Sequence, residues 1–519
     1  MPRSLRHALV ALSLANLCFL SPWLVLLNPQ HYTYYNWPKD PGLVEIIALV
    51  ICILVLGFLF WIAATVAVRM NSPKISDIAR VALLLTLILP LNSFLEDYVG
   101  ISISNFLIER KWLLLVVFVL ALAALVIVYK YNQRPARFAI TLLLILSPLF
   151  IVNLVSALWM RNKHSLAQAF QESRPAKRVD TRANTPHIVW IVFDELEQRA
   201  AFTNRSSEIT LPELDRFKSQ SLSASNAHPP AKYTLSSMPA LMIGRPVADS
   251  VPLAPNECEL KLDTGEKVRW SEQENVFSQA RAEGFSTGLA GWYLPYCRVI
   301  GSSLDWCSWV PVIDPVNPDL DQLSLSRALW LTMRTAVFRI PLAFRLLESR
   351  YERQRRLEHR EEFVRVAKAS NELLQQDINL KLLHYPIPHH PWIYDAKAQS
   401  FSTDAKIGYE DNLVLADRTL GEIRVALERA AKWDSSIVVV TADHWWRLAE
   451  PVNGQQDQRI PFMIKLAGQK EGMEYQKPFN TVLSRQLLLE ILRGNLTSPS
   501  DVAAWIDRTS STNWTAVNN

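Results

Sequence analysis

The sequence predicts two architectures in series: an N-terminal α-helical transmembrane bundle, then an α/β domain with a mostly parallel central sheet and helices on both faces. Three observations predict it. Apolar runs near the 20 residues needed to cross a bilayer are confined to the first 160 of 519 residues. Further on, short β-branched runs alternate with helical patterns, the signature of a parallel sheet. The bulk composition is half hydrophobic with a mean hydropathy of +0.07, too apolar for an ordinary soluble chain of this size. The composition also excludes several classes. Fifty-four Lys and Arg against 49 Asp and Glu are too balanced for a nucleic-acid binder. Thirty prolines beside 15 glycines and 17 tryptophans argue against disorder or collagen, and five cysteines are too few for a disulfide scaffold.

The apolar runs lie at 8–27, 43–68, 81–95 with its flanks, 112–129 and 138–159. The third contains Pro90 and Asn92 and is the least regular. Arg3 and Arg6 give the first run a signal-like start, but no small-residue cleavage site follows and four more runs do, so it reads as a retained helix. Lysine and arginine in short loops mark the cytoplasmic side. One set of loops carries Arg3, Arg6, Arg69, Lys74, Arg80, Lys130, Arg134 and Arg137, and the alternate set only Lys39, Arg110 and Lys111. The N-terminus is therefore expected inside and everything after residue 160 outside, in a multi-pass protein of the cytoplasmic (inner) membrane. Trp23, Tyr32, Tyr34, Tyr35 and Trp37 suit either an interfacial aromatic belt or surface positions. No span holds a carboxylate or lysine well inside it, as a transport pathway would need, so the helices read as an anchor.

The predicted domains are the anchor, 1–160; a polar juxtamembrane linker, 161–186; the α/β domain, 187–495, with an insertion at about 320–375; and a C-terminal tail, 496–519. In the α/β domain, HIVWIVFDELE at 187–197 reads as a buried strand presenting Asp194 and Glu195 at its carboxyl end, where open α/β sheets bind ligands. SSIVVVTADHWW at 435–446 ends likewise in Asp443 and His444. KLLHYPIPHHPW at 381–392 brings His384, His389 and His390 together, and RIPFMIKLAG at 459–468 is a further strand. A helical pattern covers 411–432. Strand-end acids and an Asp-His pair are the oxygen and imidazole donors that suit Zn²⁺ or Mn²⁺, although a strand-end acid also serves as a helix cap. In KYTLSSMPALMIGR at 232–245, Thr234 stands at a helix start. Its hydroxyl becomes a nucleophile if a metal and a helix N-terminus favour the alkoxide; otherwise it is an N-cap.

Together these segments resemble the sulfatase and alkaline-phosphatase superfamily over roughly 187–492. VFDELE resembles the first strand with its metal-binding acid, and TLSSMPALMIGR aligns without a gap to the twelve-residue nucleophile segment. HYPIPHHPW is similar to the Pro-His-x-Pro segment, and VVVTADH with RIPFMIKLAG to the strands carrying the last ligands. The resemblance implies a divalent metal, Zn or Mn ahead of Ca or Mg. Asp194, Asp443, His444 and Thr234 would hold it, with Glu195 a second acid. It implies Thr234 as nucleophile and His389 as the residue meeting the substrate's phosphate or a second metal. His384 and His390 are further candidates, and Lys232 and Arg245 either touch substrate anions or have packing and surface roles. Formylglycine sulfatases need Cys-x-Pro-x-Arg where this chain has Thr-Leu-Ser-Ser-Met. Threonine nucleophiles belong to phospho-transferring branches, phosphoethanolamine transferases and lipoteichoic acid synthases among them. The expected activity is phosphotransfer or phosphodiester hydrolysis on a membrane lipid or cell-envelope glycan, with no nucleic acid partner. The alternatives are a sulfatase-like ester hydrolase with an unmodified threonine and an inactive envelope-binding protein of the same fold.

Three cysteines, Cys258, Cys297 and Cys307, fall in the outer domain, and Cys297–Cys307 is the preferred pairing; Cys18 and Cys52 read as packing residues. Residues 322–347 are apolar with Arg327, Arg334, Arg339 and Arg345 spaced along them. They read as a helix on the membrane surface or a core-facing helix of the insertion. Residues 348–362 read as a solvated helical face.

Overall fold

The structure, a computed structural model, describes residues 2–27, 34–35, 43–98, 130, 133–163, 185–312, 324–338, 341–450, 454 and 456–513. The chain divides into two compact units. One, here the helical unit, comprises Met1–Tyr32, Lys39–Ala169 and Val316–Arg350; the other, the α/β unit, comprises Thr33–Pro38, Phe170–Pro315 and Tyr351–Asn519.

The helical unit contains α1 (Arg3–Cys18), α2 (Leu20–Leu27), α3 (Leu43–Arg69), α4 (Pro73–Thr86), α5 (Ile88–Tyr98), α6 (Gln133–Leu146) and α7 (Leu149–Lys163). Three stretches are long and apolar enough to cross a membrane: Leu43–Arg69, Pro73–Leu95 and Gln133–Trp159. The first predicted run differs, because its helix breaks at Phe19. Pro22 is the cause: its ring clashes with the carbonyl four residues back, on Cys18, where α1 stops. The run at 112–129 and most of the 161–186 linker lie outside the described residues. Ala15, Phe19, Trp23, Ile46, Leu49 and Ile53 share a core. There α1 and α3 pack closely, since a Cβ on Gly57 would lie 3.4 Å from Leu12 Cα. Trp23 is buried, its indole N–H donating to Asn16 Oδ1 at 2.8 Å, so it is not a belt residue. The helix at Leu325–Phe338 (here α12) also belongs to this unit, with Leu329 and Ala336 against the same core and Trp330 exposed. It is not a core-facing helix of the α/β domain. The predicted insertion therefore divides, its apolar first half falling in one unit and its charged second half in the other.

The α/β unit is built on a nine-stranded sheet. Its strands are β1 (His187–Asp194), β2 (Leu222–His228), β6 (Thr287–Trp292), β7 (Trp306–Val310), β8 (Leu380–Pro388), β11 (Ser436–Ala442), β12 (Ile460–Lys465), β13 (Met473–Tyr475) and β14 (Phe479–Asn480). The order is β13-β2-β12-β11-β1-β8-β6-β7, with β14 also on β2. Only β12 runs antiparallel to its neighbours. Beside it, β3 (Val247–Ala254), β4 (Glu257–Leu262) and β5 (Lys267–Arg269) form a small antiparallel sheet, and β9 (Tyr394–Asp395) pairs with β10 (Ser400–Phe401). Helices α8 (Pro212–Ser219), α9 (Thr234–Ile243), α10 (Val276–Ala282), α11 (Tyr296–Val299), α13 (Pro341–Gln375, begun in the helical unit), α14 (Tyr409–Arg429), α15 (Ser484–Leu492) and α16 (Pro499–Asn513) complete the described elements named here. The continuous apolar runs of β1, β8 and β11 are buried along their lengths, as helices on both faces require. The predicted tail differs: α16 is a helix whose Val502 and Ile506, one turn apart, join the core.

Of the loop after the first apolar run, the α/β unit takes in Thr33–Pro38, of which Tyr34 and Tyr35 are described. Tyr34 is fully buried in its core, and Tyr35 stacks on Tyr293 with centroids 4.7 Å apart. Arg298 donates to the Tyr34 carbonyl at 2.7 Å and the Val312 N–H to that of Tyr35 at 3.1 Å. Nearby, Cys297 and Cys307 form the expected disulfide, while Cys258 is a buried free thiol.

Candidate active site

The sheet order brings three chain segments to one place. β1 lies between β11 and β8, and the β1–β11 register ends at Phe193↔Ala442, so the next residues, Asp194 and Asp443, leave neighbouring strands side by side. A β-bulge in the β1–β8 pairing sets Asp194 opposite Pro388, and the His389 N–H donates to the Asp194 carbonyl at 3.1 Å. Thr234 enters as the first residue of α9, so its hydroxyl is not the cap; Tyr233 holds that position. At the other end Gly244, at φ +68°, closes α9 with a bond from its N–H to the Ala240 carbonyl.

Each carboxylate has one oxygen engaged and one free. Asp443 Oδ1 accepts from the backbone N–H groups of His444, at 2.8 Å, and Glu195, at 3.3 Å. Asp194 Oδ2 accepts from the Thr234 hydroxyl at 3.4 Å. Asp194 Oδ1 and Asp443 Oδ2 are buried without a hydrogen-bond partner among the described residues. Both lie 3.4 Å from His444 Nε2. The His444 tautomer follows from its other nitrogen: Nδ1 is 3.0 Å from the Trp445 carbonyl, which only accepts, so Nδ1 carries the proton and Nε2 a lone pair. Thr234 Oγ1 is 3.2 Å from that Nε2.

These atoms fit a metal ion. Asp194, Asp443 and His444 place one donor atom each within 4.8 Å of the others. The two 3.4 Å separations from His444 Nε2 match donors about 2.0–2.1 Å from one ion at tetrahedral angles. Without a cation the grouping is costly: burial, then the Asp443 and Glu195 carboxylates, push the Asp194 carboxyl well above the usual range.

Glu195 is placed differently from the three. It sits at φ +66°, rare for a residue with a side chain, and its Oε1 accepts from Arg447 Nε at 2.9 Å. An Arg447 Nη2–H donates to His389 Nε2 at 3.1 Å, which leaves the His389 proton on Nδ1. That Nδ1 has no partner among the described residues, and burial followed by Arg447 holds the ring's pKa well below its ordinary value. His384 Nδ1 is 2.8 Å from the Tyr296 hydroxyl; burial lowers its pKa to about 4, and it stays neutral at pH 7. His390 faces Glu352 at 3.6 Å and stacks edge-on against Trp392. Lys232 is exposed over the Tyr233 ring, and Arg245, beyond the far end of α9, pairs with Glu266 at 2.7 Å.

Two residues of the site were not singled out in the sequence. Arg447 has only its place three residues after His444 as a signal. Tyr409 has none: its hydroxyl donates to the Glu195 carbonyl at 2.7 Å and accepts the Glu197 N–H at 3.1 Å, with its ring stacked on Trp446 at 3.9 Å.

Residues 186–484 match the family model described as Sulfatase. Solved structures similar to the chain include a sulfatase from Pseudoalteromonas sp., 14% identical, over 60% of this chain and 68% of that one at a TM-score of 0.40. A protein in the alkaline phosphatase superfamily from Vibrio parahaemolyticus is 12% identical, over 65% and 78% at 0.39. Phosphonate monoester hydrolase of Agrobacterium radiobacter is 14% identical, over 59% and 74% at 0.37. No curated protein matches the sequence.

Proposed function

The chain belongs to the sulfatase family, and from that premise we propose that it is a metal-dependent phosphotransferase or phosphodiesterase with a threonine nucleophile. In this reading it is held in the cytoplasmic membrane with its α/β unit outside, and it acts on envelope lipids or glycans. One observation carries the chemistry: an unmodified threonine hydroxyl, at the N-terminus of α9, lies within 3.4 Å of Asp194 Oδ2 and 3.2 Å of His444 Nε2. The formylglycine route of sulfate-ester hydrolysis has no cysteine to start from at this position. The apolar helices favour a substrate that is itself at the membrane.

Asp194, Asp443 and His444 would hold the ion, and their mixed oxygen and imidazole set suits Zn²⁺ or Mn²⁺ better than Ca²⁺ or Mg²⁺. A divalent cation there supplies Lewis-acid charge that lowers the pKa of the Thr234 hydroxyl and polarises a phosphoryl oxygen. Asp194 Oδ2 accepts the Thr234 proton along the existing hydrogen bond. Thr234 Oγ1 bonds to phosphorus as the leaving oxygen departs with the electron pair of its P–O bond and is protonated from solvent. The N-terminal dipole of α9 favours negative charge beside Thr234. His389 Nδ1–H gains in the phosphoryl oxygens the acceptor it lacks. Water or an acceptor hydroxyl then displaces Oγ1 from the opposite side and loses its proton to solvent, and the threonine regains its proton from Asp194.

The test is accurate-mass analysis of a trapped adduct on the full chain, with turnover of a generic phosphodiester measured in parallel. A phosphorus-containing adduct on Thr234 that disappears in Thr234→Ala is expected, with turnover lost in the same variant. A sulfur-containing adduct would replace phosphotransfer by sulfate-ester hydrolysis. Metal-replete protein without Thr234-dependent turnover would remove the enzyme reading.

A further inference from the structure

Helix α12 (Leu325–Phe338) belongs to the helical unit, yet the chain before it, to Pro315, and after it, from Tyr351, belongs to the α/β unit. In a membrane-spanning helical unit, a segment of this kind leaves one side and returns to it. The helix starts at Ser324, whose hydroxyl accepts the Arg327 N–H at 3.4 Å. Its 14 residues make about 21 Å of helix, short of the ~30 Å of a hydrocarbon core. α12 is therefore too short to be a crossing. It packs on α2 and α3, the helices on either side of the loop that holds Tyr34 and Tyr35.

The two faces of α12 differ. Ala328 and Leu331 are buried, and Leu329 and Ala336 lie against the core that holds Phe19, Trp23 and Leu49. The opposite face turns from Met333 through Trp330 to Arg327 at about 100° per residue. Trp330 is 65% exposed, Met333 45%, and Arg327 is exposed beside them. A helix facing water mixes acids and bases on its outer side. α12 has no acid and no lysine, its only charges being Arg327 and Arg334. An indole, a thioether and a guanidinium on one face match the layered chemistry of a bilayer interface, where aromatic rings sit at headgroup level and arginine meets phosphate. The supporting helix is of the same kind: Leu54, Val55 and Phe58 of α3 are each at least half exposed, on a stretch long and apolar enough to cross. A second copy of the chain fits this face poorly, because two such faces would set arginine against arginine.

We propose that α12 docks in the headgroup layer of the bilayer, with Trp330 and Met333 at the acyl boundary and Arg327 at the lipid phosphates. The chain of the α/β domain would then make its own attachment to the lipid surface, separate from the spans. This rests on the membrane placement proposed above.

The experiment uses the full chain in vesicles of phosphatidylethanolamine and phosphatidylglycerol, with a nitroxide on Trp330→Cys. Met333→Cys, on the same face, serves if that variant does not fold. The wild-type signal from Cys18, Cys52 and Cys258 is subtracted. Phe58→Cys marks the surface of a span, and Lys477→Cys, at a side chain 70% exposed on the α/β unit, marks water. Oxygen collects in hydrocarbon and a nickel chelate stays in water, so their relaxation of the label reads its depth. At position 330 oxygen should dominate, with the nickel effect seen at 477 lost and a depth shallower than at 58. Nickel relaxation equal to that at 477 would overturn the proposal. Shielding from both reagents would overturn it as well, since a protein surface would then cover the face. Failure of the membrane placement itself looks different: nickel then reaches position 58 too.

Discussion

Tyr409 carries a burden that its place in a helix does not advertise. Its hydroxyl donates to the Glu195 carbonyl and accepts from the Glu197 N–H, fixing the turn that leaves β1 with Glu195 at positive φ. Tyr409→Phe leaves the buried Glu197 N–H without its acceptor, at a cost of about 1–3 kcal/mol. The expected outcome is a lower Tm together with weaker metal binding in calorimetry. Tyr409→Trp, which preserves a ring against Trp446 but not the two bonds, should not restore either. What was legible at this scale were residues whose type and place on a strand end announce them: Asp194, Asp443, His444, and Thr234 at its helix start. Arg447 and Tyr409 reach Glu195 from 252 and 214 residues away. Neither carries a local pattern, because their partners exist only once the sheet has formed.

Strand β8 holds a test at the next scale. Lys381 lies on this interior strand with its ammonium buried, donating to the Ile378 carbonyl at 2.5 Å. Burial, with a smaller push from Lys432, lowers its pKa from 10.5 to about 7. Below about pH 7 the folded and unfolded chains both hold this proton. Between about 7 and 10.5 the unfolded chain keeps a proton that the folded chain has released, so this residue makes stability rise with pH across that window. Lys381→Met should flatten the rise and stabilise the protein at pH 7 by about 1–4 kcal/mol; denaturant midpoints at pH 7 and pH 9 measure both. A variant as pH-dependent as the wild type would count against a buried ammonium. The central strands β1 and β11 were readable because β-branched runs have few other uses, and β8 and β12 as short, largely apolar runs. The edge strands β13 and β14 were not, since three and two residues carry no periodicity. Helix α16 was missed because one buried turn in a polar segment is a weak signal.

The molecule as a whole is a helical unit and an α/β unit whose chain segments interleave, as the return of residues 316–350 to the helical unit shows. Composition revealed two parts but not the interleaving, because a segment's partners do not appear in its own sequence. Tyr34 makes the point: suited by its sequence position to an interfacial belt or to the surface, it is fully buried in the α/β core. Tyr34→Ala in the full chain should cost about 3–5 kcal/mol, the range for emptying a large aromatic site, and lower the Tm of the α/β unit. A fragment beginning at residue 185 should show the same deficit. The same tyrosine has a consequence of parity. If the helical unit spans a membrane, residues 34–35 and the rest of the α/β unit share one side of it, and the chain between them crosses an even number of times. The three described stretches long and apolar enough to cross are an odd number. The expected outcome is then a fourth crossing, for which the sequence offers the apolar run at 112–129. A membrane-impermeant maleimide should label Ser104→Cys from outside and reach Asn132→Cys only after permeabilisation. Labelling of both from outside would break the count. Two tyrosines thus act as an arithmetic check on the whole threading of the chain.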